Sequence, residues 1–433
     1  MRRSPVDGPH RIRKIVDMRT IHLALALVLL LPLIAPAQAK PPLDLYTFSG
    51  SALATARQRY QSGDPAVVPI IQSLLANAES ALHDGPYSVT FKRRTLPGLD
   101  MHDYVSIAPY YWPNPATPNH LPYVNRDGQR NPEFEEFDAE PLMKLTDHVS
   151  VLALAGYFSG DARFSQRAAL LIRTWFLDPD TRMNPNLDHC QVQQGINSGF
   201  HSGIIESRRF IDIIDASQIL HESGAWSDDD AAALKTWIGQ FRDWLLKSPM
   251  ALGDQQQKNN HGNWYDVQAI TFSLYVGDVA TARRVLESDK KRIAQQIEPD
   301  GRQPLELART RGFWYCEFNL GALCRLAELG RRPEADVDLW DYQSPDGRSI
   351  RKAIEWLLPY ATGEKPWTYQ QLGGVSAKEL IVPLRQAEVA WHTDEFEPDI
   401  ARLIGQNVKT DDDEEHPLRP RAILQLLYPP NRE

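Results

Sequence analysis

The chain has 433 residues, of which 42% are hydrophobic and 24% charged, so it can bury a large core and is not disordered as a whole. Its three cysteines are too few for a disulfide scaffold or an array of zinc ribbons. A sequence pI near 5.8 excludes a nucleic-acid-binding protein that depends on bulk positive charge.

The first 39 residues have the pattern of a secretory signal peptide. Basic side chains such as Arg11 and Arg13 precede an apolar run at 23–34, and residues 37–39 read Ala-Gln-Ala, the small-x-small form of a cleavage site. The apolar run is too short to span a bilayer comfortably, which favours cleavage over an uncleaved anchor. We therefore expect a periplasmic or secreted protein with no stable membrane span after cleavage.

Apolar residues at spacings of three and four predict helices along almost the whole chain from residue 40 to 433. Strand-like alternation is rare, and residues 96–131 predict a long aromatic loop. Successive helices with short links predict one all-α domain, an α/α barrel or incomplete toroid built of antiparallel helix hairpins. The predicted helices span 66–82, 142–158, 163–176, 204–219, 231–246, 264–276, 279–296, 316–329, 350–358 and 377–391.

An exported protein is in an oxidising environment, in which its cysteines can form disulfides. Cys316 and Cys324 would lie roughly 12 Å apart along one predicted helix, beyond disulfide reach. Cys190 could pair with either of them, or all three could be buried thiols. The sequence leaves both alternatives open.

The segment 258–266, Lys-Asn-Asn-His-Gly-Asn-Trp-Tyr-Asp, has a composition that packing alone does not require. Asn263 is predicted to be the N-cap of the following helix, which places Asn260 and His261 in the loop just before it. Backbone N–H groups and the helix dipole favour a carboxylate at such a position. The alternative is a structural role, in which Asn259 and Asn260 are turn residues and His261 makes a satisfied polar contact.

The segment 300–315 brings three arginines to the start of a predicted helix that carries Tyr315. These are Arg302, Arg309 and Arg311. A guanidinium close to the phenol would favour the phenolate and lower the tyrosine pKa from its reference of about 10, so that the tyrosine can exchange protons with a substrate. The alternative is a core tyrosine, because at helical spacing Tyr315 shares a face with Asn319, Ala322 and Leu326.

Together the two segments resemble the alginate lyase family of polysaccharide lyases. The matching residues are Asn260 and His261 in the Asn-Asn-His-Gly sequence, Glu306 followed by Arg309, and Tyr315. Upstream stretches at 103–106, 109–113, 126–128 and 203–208 are similar as well, so the resemblance covers roughly residues 95–330. It implies an α/α-barrel enzyme, with spacings closer to the branch that includes glucuronan-active and broad uronan lyases.

The resemblance implies β-elimination at a 4-linked uronate. Asn260 and His261 would neutralise the substrate carboxylate, and Tyr315 would protonate the leaving oxygen. In a syn elimination Tyr315 would also be the base, whereas His261 is the alternative base on the opposite face. Arg309 would stabilise the phenolate, with Arg311 as the rival for that role. No metal or other cofactor is implied.

An anionic uronan polysaccharide or oligosaccharide would need aromatic faces and positive charges to hold it. The candidates are Tyr110, Tyr111, Trp112, Arg126, Arg130, His201 and Arg311. They could equally form a packed cover over the barrel mouth. Removing residues 1–39 takes away six basic and two acidic side chains and leaves 41 Lys and Arg against 54 Asp and Glu, a net charge of −13. Any groove for a polyanion must therefore be locally basic.

Two other classes of protein remain open. An inverting glycoside hydrolase on an α/α barrel needs two carboxylates about 6.5–9.5 Å apart; Glu206, Asp266 and Glu306 are available, but no pair stands out. A non-catalytic periplasmic polysaccharide-binding protein would account for the aromatic residues but not for the Asn-His and Arg-Tyr set. The oligomeric state is left open.

Overall fold

Helices dominate the chain, as predicted. The computed structural model describes residues 41–405 and 421–430, and the predicted signal peptide, residues 1–39, lies outside these ranges. The α-helices are α1 (Gly50–Gln61), α2 (Val68–Ala81), α3 (Ala139–Ser159), α4 (Ala162–Phe176), α5 (Phe210–Glu222), α6 (Asp228–Leu245), α7 (Pro249–Gln255), α8 (Asn260–Val276), α9 (Val279–Gln296), α10 (Pro304–Leu307), α11 (Gly312–Gly330), α12 (Ile350–Ala361), α13 (Ile381–Trp391), α14 (Glu397–Gly405) and α15 (Leu424–Leu427).

Every predicted helical region contains helix, with differences at the ends. The region predicted at 204–219 is a 3₁₀ helix, His201–Arg209, that continues into α5, and the region at 377–391 opens with the 3₁₀ helix Lys378–Leu380. Helices α8 and α11 begin earlier than predicted. Helices α1, α7, α10, α14 and α15 were not predicted, because α7, α10, α14 and α15 are too short to show a period and α1 has few apolar residues.

Polar caps define several helix starts. Asp161 accepts the Arg163 N–H at the start of α4, and Ser227 and Asp230 form a capping box at the start of α6. Each cap of this kind stabilises its helix by about 1 kcal/mol.

Consecutive helices pack against each other as hairpins. Two-residue links join α3 to α4 and α8 to α9, and the partners of each pair are in contact; α8 also packs on α6 and α11, and α11 packs on α12 and α13. Edge-to-face rings fill the core between α4, α5 and α6, where Phe210 lies 5.4 Å from Phe176 and 5.5 Å from Trp237 between ring centroids. The described residues from Pro42 onward belong to one compact unit, and the predicted all-α class with an α/α barrel is confirmed.

One short sheet joins the aromatic loop to a later segment of the chain, and a second lies within the loop. Strand β1 (Val105–Ile107) pairs in parallel with β4 (His189–Val192), and β2 (Tyr111–Trp112) pairs antiparallel with β3 (Val124–Asn125). The pairing places Tyr111 opposite Asn125. The loop predicted from composition is therefore held in place by backbone hydrogen bonds as well as by side chains.

All three cysteines are buried and free, so of the two alternatives left open by the sequence the structure has three thiols. Across 41–405 and 421–430, no helix is both long enough and apolar enough to cross a membrane.

Candidate active site

A cavity of about 630 Å³ lies among α8, α11, the 3₁₀ helix His201–Arg209 and the aromatic loop. This volume is typical of sites for ligands the size of a short oligosaccharide. Eight residues predicted from the sequence line it: Tyr110, Tyr111, Arg130, Asn260, His261, Arg309, Arg311 and Tyr315. Trp112, Arg126 and His201 lie outside this wall.

Arg309, in the connection between α10 and α11, contacts the hydroxyl of Tyr315. Its Nη2 donates to the Tyr315 hydroxyl at 2.6 Å. Asp127 holds the guanidinium from the other side, accepting from Nη2 at 2.6 Å and from Nε at 3.2 Å, and Thr310 Oγ1 donates to the same carboxylate at 3.0 Å. Burial would raise the pKa of Asp127, but the hydrogen bond and charge of Arg309 outweigh it and leave the pKa lowered. Arg309 thus has an ionised partner that fixes its position.

Tyr315 lies in the first turn of α11 with 5% of its surface exposed. Burial raises its pKa well above the ordinary value of 10, the neighbouring Tyr110 adds to the rise, and Arg309 opposes it. The predicted lowering of this pKa is therefore wrong for the net shift, because desolvation of the phenolate outweighs the guanidinium. The cavity presents a protonated phenol, and its hydroxyl lies 3.3 Å from that of Tyr110.

Helix α8 begins at Asn260, with Asn259 as its N-cap. The prediction that Asn263 is the N-cap is wrong by four residues, so Asn260 and His261 form the first turn of the helix rather than the loop before it. Their backbone N–H groups already have partners: that of Asn260 donates to Glu306 Oε1 at 2.7 Å and that of His261 to Asn259 Oδ1 at 3.2 Å. A ligand at this helix end would therefore interact with the helix dipole, but it would contact side chains rather than these two N–H groups.

Glu306 orients the side chain of Asn260. The amide Nδ2 donates to Glu306 Oε2 at 2.8 Å, and both residues are 1% exposed. Burial raises the pKa of Glu306, although the two hydrogen bonds from Asn260 oppose the rise. Because an amide nitrogen carries two hydrogens, Asn260 keeps one for a ligand.

Asp254, at the end of α7, links two histidines. Its Oδ1 lies 3.1 Å from Nδ1 of His261 and 3.4 Å from Nδ1 of His201. The His261 contact is short but does not have the geometry of a hydrogen bond. Burial would raise the pKa of Asp254, but the histidines outweigh it and leave the pKa lowered. With Nδ1 turned toward this carboxylate, His261 has Nε2 left for the cavity that it lines.

Arg292 of α9 braces the segment just before α8. Its Nη1 and Nη2 donate to the carbonyls of Gln257 at 2.9 Å and Gln255 at 2.6 Å, and its Nε donates to Asp266. A Cβ at Gly262 would lie 2.2 Å from the Gln257 oxygen and 2.4 Å from Arg292 Nη1. Only glycine leaves room for the guanidinium at this position. Arg292 can therefore pack directly against the first turn of α8.

An aromatic wall, which sequence reasoning missed, lies along the cavity. Trp314 stacks on Phe318 at 4.8 Å with 13° between the ring planes, and Trp264 packs on Phe318 at 5.2 Å. The guanidinium of Arg208 lies 5.3 Å from the Phe318 ring, and that of Arg311 lies 5.3 Å from the Trp314 ring. Flat apolar faces flanked by guanidinium groups suit sugars that carry carboxylates. The four-residue spacing of Trp314 and Phe318 was the one sequence signal for this wall.

Trp112 and Arg126 stack on each other away from the cavity wall. The guanidinium of Arg126 lies 5.0 Å from the Trp112 ring, and Trp112 Nε1 donates to the carbonyl of Gln129 at 2.8 Å. Both residues sit on or next to the β2–β3 hairpin, which this contact stabilises.

The three carboxylates considered for a glycoside hydrolase have structural partners. Glu206 accepts from the Tyr104 hydroxyl and from Ser106 Oγ, each at 2.8 Å, whereas Asp266 and Glu306 form the pairs described above. Burial raises the pKa of Glu206 against these hydrogen bonds. In the part of the chain that the structure describes, no group of three or more His, Cys, Asp or Glu residues is arranged to bind a metal ion.

Comparison with known proteins assigns this chain to a family. The alginate lyase family model matches residues 88–367. The crystal structure of an alginate lyase from Bacteroides ovatus is 34% identical, with a TM-score of 0.81, over 89% of this chain and 99% of that one. No curated protein matches the chain.

More distant structures share the fold. Two variants of alginate lyase A1-III, an enzyme of Sphingomonas species A1, each in complex with a tetrasaccharide, are 16% and 14% identical, with TM-scores of 0.52 and 0.51. The matches cover 87% of this chain and 93% and 94% of those chains. This chain belongs to the alginate lyase family, and it is a polysaccharide lyase.

Proposed function

We propose that this lyase cleaves a polymer of 4-linked uronic acid, of the alginate or glucuronan type, by β-elimination. One observation carries the proposal: the protonated phenol of Tyr315, held by Arg309, faces the same cavity as Asn260 and His261. The likeness to the alginate lyase of Bacteroides ovatus supports alginate as a substrate.

The first chemical task is to neutralise the uronate carboxylate, because an anionic carboxylate makes the neighbouring C5–H a very weak acid. Asn260 keeps one amide hydrogen for this task, and His261 presents Nε2. The N-terminus of α8 adds a favourable field. Burial raises the pKa of Glu306, which limits the negative charge that it brings close to the substrate.

The second task is proton transfer. As the C5–H bond breaks, its electron pair forms the C4–C5 double bond, the C4–O bond to the leaving sugar breaks, and that oxygen takes up a proton. Tyr315 holds such a proton because its pKa is raised, and it is therefore the acid. His261 is the base if the C5 proton lies on the opposite face. In a syn elimination Tyr315 must first lose its proton, and the Tyr110 hydroxyl at 3.3 Å offers a path.

The test is a panel of purified uronans: polymannuronate, polyguluronate and glucuronan. Elimination produces an unsaturated chain end that absorbs ultraviolet light, and we expect this product from at least one of them. A hydrolase would produce new reducing ends without the absorbance, and a binding protein would leave the polymer intact. Either result would refute the proposal.

We also propose that the chain is exported and acts in the periplasm or outside the cell. The basic lead, the apolar run at 23–34 and the Ala-Gln-Ala at 37–39 support export. Amino-terminal sequencing of the protein recovered from the periplasmic or secreted fraction should begin at residue 40. Recovery of an uncleaved, membrane-bound chain would contradict this.

A further inference from the structure

The cavity continues beyond Tyr315 along one face of α11. Trp314, Phe318, Gly321 and Arg325 follow each other at spacings of four, three and four residues, and all of them line it. At about 1.5 Å per residue, the stretch of α11 from Trp314 to Arg325 is roughly 16 Å long. We call the part of the cavity beside Gly321 and Arg325 the inner compartment.

Gly321 keeps the inner compartment wide. Apart from its two chain neighbours and the nearby backbone of α11 itself, no heavy atom of the described residues lies within 4 Å of a Cβ placed at Gly321, so close packing does not require glycine here. In a helix interior, glycine is less stable than alanine by about 1 kcal/mol. The free space on this side of α11 belongs to the cavity, which any larger side chain would narrow.

The charges of the cavity suit an anionic sugar. Seven arginine and lysine side chains line it against five aspartates and glutamates, and Arg325, Lys378, Glu317 and Glu379 are among them. Burial raises the pKa of Glu317 well above its ordinary value, and Glu379 adds to the rise, which favours the neutral form of Glu317. The balance is therefore positive inside a chain that is acidic as a whole, and it favours uronate carboxylates.

Segments near the two ends of the chain meet at the inner compartment. Thr47 and Tyr428 both line the cavity, and the Tyr428 hydroxyl donates to the Thr47 carbonyl. Asp215 of α5 accepts from the N–H of Thr47 at 2.8 Å and from its hydroxyl at 2.5 Å, and Arg325 Nη1 donates to the Tyr46 carbonyl at 3.0 Å. These hydrogen bonds anchor the segment that contains Tyr46 and Thr47 to α5 and α11.

We propose that the inner compartment binds the terminal sugars of a uronan chain and that Thr47, Phe48 and Tyr428 stop the chain there, so that the enzyme cuts from a chain end. This inference rests on the proposed function and adds the mode of attack. A chain that stops at a fixed wall is cut at a fixed distance from its end, and the product is a short oligosaccharide of constant size.

The first experiment follows the wild-type enzyme on a long, size-fractionated alginate or glucuronan, whichever it cleaves. Ultraviolet absorbance should rise while the viscosity of the solution stays nearly constant, and one short unsaturated product should dominate from the earliest time points. An early collapse of viscosity, with a broad ladder of products, would overturn the proposal.

The second experiment fills the inner compartment with Gly321→Leu. We expect KM for the polymer to rise at least tenfold, because the terminal sugars lose their space. The matched control is Gly239→Leu, since Gly239 lies inside α6, its nearest Cβ neighbour is Val276 at 3.7 Å, and it does not line the cavity. The control should keep KM within twofold of wild type.

Thermal unfolding must show that both leucine variants fold. If Gly321→Leu does not fold, Gly321→Met takes its place under the same criteria, because its unbranched side chain can lie along the cavity wall. An unchanged KM in the folded variant would overturn the inner-compartment proposal. Failure of the proposed function is a separate result, namely no ultraviolet-absorbing product from any uronan with the wild-type enzyme.

Discussion

Arg309 contacts Tyr315 at both the hydroxyl and the ring: Nη2 lies 2.6 Å from the phenolic oxygen, and Cζ lies 3.8 Å from the ring centroid. A cation over an aromatic face is attracted by the quadrupole of the ring, and a hydrogen bond to the hydroxyl fixes the position of the phenolic oxygen. Asp127 anchors the guanidinium in turn. The phenol is therefore oriented before any substrate arrives.

Replacing Tyr315 with phenylalanine should reduce kcat by about 10²–10⁴-fold, the range that one acid–base group supplies, because the ring stays and the proton carrier is lost. Oligosaccharide binding, measured by calorimetry, should stay nearly unchanged. Tyr110→Phe is the matched control. It should lose less activity, since the Tyr110 hydroxyl contacts that of Tyr315 but does not protonate the leaving oxygen. Near-normal turnover in Tyr315→Phe would remove this residue from the mechanism.

Replacing Arg309 with glutamine should move the pH–rate profile toward higher pH. Arg309 lowers the pKa of Tyr315 against burial, so its loss raises that pKa further, and any limb of the profile that belongs to Tyr315 moves in the same direction. The pH–rate profile of Arg309→Lys should lie between those of the wild type and Arg309→Gln, because lysine keeps the charge and loses the planar guanidinium.

The matched control for Arg309 is Arg311→Gln. Arg311 lies over Trp314, so its loss should change KM and leave the profile in place. Rates across pH at saturating and subsaturating substrate separate the two effects. A shift in Arg311→Gln but not in Arg309→Gln would reverse the two roles, and no shift in either would favour His261 as the base.

Asp254→Asn should reduce kcat by roughly 10²-fold and change KM little, because it removes the charge that orients His261 without changing the size of the side chain. The matched control is His201→Gln. It removes the other histidine contact of Asp254, and His201 does not line the cavity, so this variant should lose less activity. Equal losses in the two variants would argue for a purely structural role of Asp254.

Asp254 also contributes to the dependence of stability on acidity. Its pKa is lowered in the folded state, so the ionised carboxylate stabilises the fold above the unfolded pKa of about 3.9, and this contribution is lost as pH falls through the folded value. The free energy of unfolding of Asp254→Asn should therefore fall less than that of wild type below about pH 4. Denaturant titrations at a series of pH values provide the measurement, and parallel curves would contradict it.

Chelation should leave activity unchanged, because carboxylate neutralisation is assigned to Asn260 and His261. The measurement is the initial rate with and without EDTA, followed by addition of calcium or magnesium. Loss of activity with EDTA and recovery with a divalent cation would show that a metal performs this task.

Motif residues could be predicted as members of the site, whereas the contacts that position them across the chain could not. Arg309 and Tyr315 are six positions apart and were recognised as a pair, whereas nothing in the stretch 126–128 indicated that Asp127 contacts Arg309 across 182 positions. Asp254 was missed because a single aspartate at the end of a seven-residue helix resembles any polar surface residue.

The start of α8 shows a different limit. Asn259 and Asn263 are both suitable N-caps by residue type, and the sequence alone favoured the second. In the structure the Asn263 amide is buried and donates to Gln296 at 2.7 Å and Asn319 at 2.6 Å. Tertiary hydrogen bonds therefore decided which asparagine caps the helix.

The three buried thiols make the protein suitable for site-specific labelling. Burial raises the pKa of Cys190, Cys316 and Cys324 well above the ordinary range, so each is a poor nucleophile toward maleimides at neutral pH. A single cysteine introduced at Leu305, which is 52% exposed and adjoins Glu306, would react selectively. A fluorophore there would sit next to the Asn260–Glu306 pair and report the arrival and departure of oligosaccharide in real time, on a background free of wild-type labelling.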